Sequence, residues 1–226
     1  MLLAEDLLLL LTDDASGKLR SPAGETDIAL GGANLVELTL MGKVDLSGDG
    51  DPGKPGRIIV RDLVPPGDEV LAAALQTLAD RQGDKPQAVI TPLGKNLRTV
   101  LYQRLTGSGV LRAEHGRVLG IFPTHTWPAQ DGQYEAGVRQ LITQALVQGA
   151  VPDERLAALI ALLHALRCED KAVDPQQNGV SKKQLRARAE EIADGDWASE
   201  AVRKAIEQMV AAVIAATTAA TAAAAT

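Results

Sequence analysis

The 226 residues are enough for one sizeable domain, and with 46% hydrophobic residues general disorder is excluded. One Phe, two Tyr and two Trp rule out an aromatic platform for single-stranded nucleic acid, and a net charge of −6 opposes phosphate-rich partners unless a local basic patch overrides it. The lone Cys168 excludes an intramolecular disulfide and a cysteine zinc site; set among Leu and Ala, it reads as a buried, inert thiol in a reducing compartment.

In chain order, Leu2 to Leu11 is apolar on nearly every side except at Glu5 and Asp6 and predicts a short buried helix. Acidic residues before its leucine block, with no small-residue cleavage site, argue against a secretory signal. Ile28 to Gly42 repeats Leu30, Leu35, Leu38 and Met41 at helical spacing, with Asp27 as the expected N-cap and Gly42 as the stop. Val44 to Leu46 and Arg57 to Val60 read as short strands around the Gly-, Asp- and Pro-rich loop 47–56. Asp68 to Arg81 predicts an amphipathic helix, and a further one runs from about Pro92 to Thr106.

Val110-Leu111 and Val118 to Phe122 flank Glu114-His115-Gly116, a hairpin pattern in which Gly116 would supply a positive φ. Helices are then expected over roughly 133–148, 153–167, 181–193 and 198–217, with acidic Asp153 and Glu154 opening a nearly all-apolar central one. Met209 to Thr226 carries no charge, but its Ala/Thr composition favours a buried last helix with a frayed tail over a membrane span. The expected fold class is mainly α: a buried helical-bundle core ringed by amphipathic helices, with a small β-hairpin. It forms one domain over 1–216, followed by an Ala/Thr-rich tail over 217–226.

No catalytic constellation stands out. His115, His125 and His164 are scattered, and none lies in a His-Glu-x-x-His setting. His164 reads as a hydrogen-bonded core histidine and His115 as an exposed turn residue, while His125 lies in a Pro-bounded loop with Trp127. The Gly31-Gly32 pair reads as close helix packing or, alternatively, as backbone access for a ligand. Asp45, Asp49 and Asp51 lack the terminal Glu of a calcium loop and read as a solvated turn. No cofactor or metal is expected.

Charge placement is more informative. Lys95, Arg98, Arg104, Arg112 and Arg117 face a single acid, Glu114, between Pro92 and Gly120. On a continuous helix Lys95 and Arg98, three apart, would share one face near an N-terminus, where unpaired amides favour anions. The bland alternative is a solvated basic face; Lys182, Lys183, Arg186 and Arg188 form a second such face.

Several segments together resemble the Golgi phosphoprotein 3 family: Leu2-Leu3-Ala4-Glu5-Asp6-Leu7, Leu35-Val36-Glu37-Leu38 with Gly42-Lys43-Val44, Gly109-Val110-Leu111, and Pro152 to Ala165. They occur in the family's order from residue 1 to about 216, and the Ala-rich composition hints at a bacterial member. The resemblance implies a peripheral membrane adaptor that recognises phosphatidylinositol 4-phosphate or another anionic phospholipid headgroup. It further implies that Lys95 and Arg98 occupy the family's arginine pair. Gly31 stands where the family has a further arginine, and the family's tryptophan falls near Pro22. The resemblance also implies a membrane-contacting or subunit-contacting hairpin, here Arg112, Arg117, Val118 and Leu119; a hairpin folded over the core is the open alternative. The expected location is cytoplasmic, peripheral at the membrane face. Partners would be an anionic phospholipid surface and proteins, not nucleic acid, with self-association left open. The competing readings are a protein–protein scaffold without lipid, and an enzyme with an unrecognised site around His125 and Trp127.

Overall fold

The computed structural model describes residues 1–118, 122–195 and 200–224. Among these, ten helices and two two-stranded antiparallel sheets pack as a mainly α fold.

Helix α1 (Leu3–Leu10) is buried on all sides, including Glu5 and Asp6. Buried carboxylates are costly unless paired and hydrogen-bonded, and here each finds partners on other elements. Glu5 accepts from the Leu2 amide at 2.8 Å and from Arg104 Nε at 3.0 Å. Asp6 accepts from the Tyr134 hydroxyl at 2.8 Å and from Arg155 Nη2 at 2.9 Å. The two acids therefore work as tie points inside the core, and their partners come from three surrounding helices.

Helix α2 (Ala23–Leu40) starts earlier than Asp27, with Pro22 at the N-cap. The expected cap is thus an interior residue: Pro22 tolerates the end position, and its carbonyl accepts from both the Thr26 amide and the Thr26 hydroxyl. Gly42, at φ +67°, closes the C-terminal end as expected. Strands β1 (Val44–Leu46) and β2 (Ile58–Val60) pair with Val44 opposite Val60. Helix α3 (Glu69–Ala79) is capped by Asp68, whose side chain accepts from the Val70 and Leu71 amides.

The single helix expected over 92–106 is two. Helix α4 (Pro86–Gly94) begins with Pro86 in its first turn, and α5 (Leu97–Gly107) follows a break. Lys95 is extended and Asn96 is left-handed, at φ +59°. Gly94 is a weak helix former and Asn tolerates the left-handed region, so the chain reorients here at little cost.

Strands β3 (Glu114–Val118) and β4 (Phe122–Thr126) form the hairpin, with His115 opposite His125 and Gly116 opposite Thr124. Gly116 is therefore a strand residue without positive φ, and Glu114-His115-Gly116 is not the turn. The register brings the two histidines together, and residues 119–121 between the strands lie outside the described ones. Helices α6 (Gln133–Val147), α7 (Glu154–Ala165), α8 (Glu169–Ala172), α9 (Lys182–Ala193) and α10 (Glu200–Ala224) complete the chain. Asp153 caps α7 and a Ser181–Gln184 capping box opens α9. Ile206, Met209 and Val213 of α10 are buried in the common core, and the Thr221 hydroxyl donates to Glu25 at 2.9 Å. Helix thus continues beyond residue 217. Its Lys204–Ala223 stretch is long and apolar enough to cross a membrane by length and composition.

Candidate functional site

The break between α4 and α5 changes the geometry that the sequence suggested for Lys95 and Arg98. They do not share a continuous helical face: Lys95 is the C-cap of α4, and Arg98 lies in the first turn of α5. The break nevertheless creates a new helix N-terminus beside both. Asn96 gives it no side-chain cap, so its first-turn amides are free to face an anion. Lys95 is exposed and makes no ion pair among the described residues.

Arg98 is already engaged. Its Nε lies 3.2 Å from Asp27 Oδ1, with both side chains about one-third exposed. Burial pushes the Asp27 carboxyl above its ordinary value, and Arg98 opposes that shift. Such a half-exposed pair contributes roughly 0–1 kcal/mol. A phosphate monoester, with up to two charges and three acceptor oxygens, can outcompete one carboxylate at that strength.

Gly31 is not open to a ligand. A Cβ there would overlap the Ile90 carbonyl oxygen, and a Cβ on Gly94 would overlap the Asp27 carbonyl oxygen. The glycine is buried where the α2 and α4 backbones touch, which settles the two readings in favour of close helix packing. It cannot contribute to a headgroup contact.

The hairpin is joined to the same region. Tyr102, one turn after Arg98 on α5, stacks on Trp127 with ring centroids 3.9 Å apart and planes within 2°. Trp127 directly follows β4, so the stack anchors the hairpin base to α5. Arg112 is exposed but paired with Glu114 at 2.8 Å, and its Nη1 donates to the Ala129 carbonyl. Such an exposed pair holds the arginine only weakly. Arg117 and Val118 are placed by their backbone in β3; Leu119 lies outside the described residues.

Other expected groups fall as follows. His115 is exposed but lies in a strand; its Nδ1 is 2.9 Å from that of His125, so one ring donates and the other accepts. His164 is hydrogen-bonded through Nδ1 to Glu169 at 2.8 Å. Burial raises the Cys168 thiol, as an inert side chain requires. Two residues that matter here carried no sequence signal. Asp27 was read as a cap, and Asn34 looks like any polar residue in a helix. Asn34 is in fact buried, with no hydrogen-bond partner for its Oδ1 among the described residues. Only the α2–α4–α5 packing reveals either role.

Comparison with known proteins gives one clear match: the family model described as Golgi phosphoprotein 3 (GPP34) covers residues 3–209. No curated protein matches the chain.

Proposed function

This chain belongs to the Golgi phosphoprotein 3 family, and from that premise we propose that it is a non-enzymatic adaptor docking on anionic phospholipid headgroups through Lys95 and Arg98. The observation that carries the reading is the interrupted helix at Lys95-Asn96. Among the described residues, it brings a cation without an ion pair, a helix N-terminus without a side-chain cap and a weakly held arginine within a few residues of one another. Fixed dipoles and point charges of one sign, converging at the surface, suit a phosphate monoester such as that of phosphatidylinositol 4-phosphate. With a net charge of −6 on the whole molecule, this local patch has to work against the global field. Binding should therefore be steeply salt-dependent. Lys95 supplies a point charge and not a two-pronged grip, which relaxes headgroup selectivity relative to a pair of arginines. The stacked Tyr102–Trp127 pair keeps the hairpin close to the patch, so that the hairpin contributes a second, apolar contact with the cytoplasmic membrane face.

Flotation with phosphatidylcholine vesicles of increasing phosphatidylserine or phosphatidylinositol 4-phosphate content tests the reading. Each basic residue near an anionic surface contributes about 1 kcal/mol, so Lys95→Ala/Arg98→Ala should weaken binding roughly thirtyfold. Unchanged flotation of the double variant removes these residues from the site.

A scaffold that binds protein without lipid is the second reading. It is favoured by Leu63 and Val64, adjacent and 66% and 65% exposed, and by Val151 at 90%. Recovery of a partner from membrane-free lysate, together with absent flotation, would select it.

A further inference from the structure

His115 of β3 and His125 of β4 stand directly opposite each other in the hairpin register, although ten residues separate them in the chain. Both side chains are exposed. Their Nδ1 atoms are 2.9 Å apart, with ring centroids at 4.7 Å and planes at 90°. The strand pairing fixes both main chains. The end of β4 that carries His125 is also held in place, because Trp127, two residues on, stacks on Tyr102 of α5. Two ring nitrogens are thus brought together on a surface whose backbone is already ordered, which lowers the cost of binding.

We infer that His115 and His125 form a two-histidine site for a divalent transition metal that favours square-planar or tetragonal coordination, copper(II) above nickel(II), with water in the remaining positions. Neutral imidazole nitrogens bind such ions at about 2.0–2.1 Å. Two nitrogens held at that length and at a right angle lie about 2.9 Å apart, whereas a tetrahedral angle needs about 3.3–3.4 Å. The observed separation therefore suits the square arrangement better than the tetrahedral one of zinc. In the hydrogen-bonded pair one Nδ1 carries the shared proton. When a metal binds, that ring takes its other tautomer, with the proton on Nε2; both neutral rings then present a lone pair and no net proton is lost. Among the described residues no third His, Cys, Asp or Glu completes a ligand group. Glu114 alternates to the other face of β3 and is paired with Arg112 at 2.8 Å. Arg117, two positions along the strand from His115, adds a like charge that limits the affinity. Magnesium and calcium, which require oxygen ligands, do not suit the pair. The site uses neither Lys95 nor Arg98, so the inference stands apart from headgroup docking.

The untagged full chain is titrated by calorimetry with copper(II), nickel(II), zinc(II) and magnesium chlorides, and the copper complex is read by electron paramagnetic resonance. Saturable one-to-one copper binding is expected, weaker for nickel and zinc and absent for magnesium, with two nitrogen ligands in the copper spectrum of the native chain. His115→Gln and His125→Gln should each weaken copper binding at least tenfold, since even the outer partners of metal-bound histidines are worth about that much. Binding that survives either substitution, titrations that do not saturate, or a native spectrum with fewer than two nitrogens would each overturn the inference and mark the metal as adventitious.

Discussion

Arg98 Nε lies 3.2 Å from Asp27 Oδ1 across the α2–α5 contact, so a carboxylate sits beside one of the two cations of the proposed headgroup site. An anion that binds Arg98 competes with this carboxylate for the guanidinium charge. Asp27→Asn keeps the shape and removes the competing charge, and an exposed pair contributes up to about 1 kcal/mol, so vesicle affinity should rise by up to roughly fivefold. The same relationship gives a pH dependence. The Asp27 carboxyl is raised above the ordinary 3.8, so as pH falls toward that raised value it protonates and releases Arg98. Binding to vesicles should then strengthen on acidification in the native chain and lose that component in Asp27→Asn. Flotation across a mildly acidic series, at constant salt, measures both.

The contact between Gly31 and Gly94 predicts a sharp steric sensitivity. A Cβ on Gly94 would meet the Asp27 main chain and not a flexible side chain, so no rotamer change relieves the overlap. Gly94→Ala should destabilise by about 3 kcal/mol, at the upper end for overpacking. Gly24→Ala, near the start of the same α2 helix with open space around it, should be stabilising by about 0.5 kcal/mol. Urea denaturation of the two variants gives the comparison directly.

Glu135 predicts a pH-dependent stability. Burial pushes it up to about 7, although Arg139 lies 2.6 Å away and opposes the shift. Its folded pKa is above the unfolded value of 4.5, so the folded state binds the proton more tightly. The associated stability is fully present below that unfolded value and is lost as pH rises through about 7. Unfolding free energy should therefore fall from mildly acidic to mildly alkaline pH by on the order of 2 kcal/mol from this group. In Glu135→Gln that slope should flatten. A native chain of equal stability at both ends of the range would contradict the assignment.

Asn34 predicts a stabilising substitution. Replacing its unsatisfied amide by the similarly sized Leu removes a desolvation penalty of about 1–3 kcal/mol. Asn34→Leu should thus raise the unfolding midpoint. A lowered midpoint would mean that the amide is satisfied by water.

The sequence by itself determined the helical architecture, because burial patterns with a period of 3.6 residues are local and repeat within each segment. Residues 3–10, 69–79, 133–147, 154–165 and 182–193 are helices close to where periodicity and caps put them. The family was legible for a related reason: its apolar segments follow in order along most of the chain. What only the tertiary structure decided are features set by the meeting of distant segments. The α4–α5 interruption follows from a residue that tolerates the left-handed region, Asn96, acting where α4 must pack against α2. Gly31 became a packing contact and Asp27 an arginine partner because α2 begins earlier and lies against α4 and α5. The hairpin register pairs His115 with His125 across strands, a relation that single-strand propensity does not encode. Periodicity reports which face of an element is buried; it is silent about which element covers it.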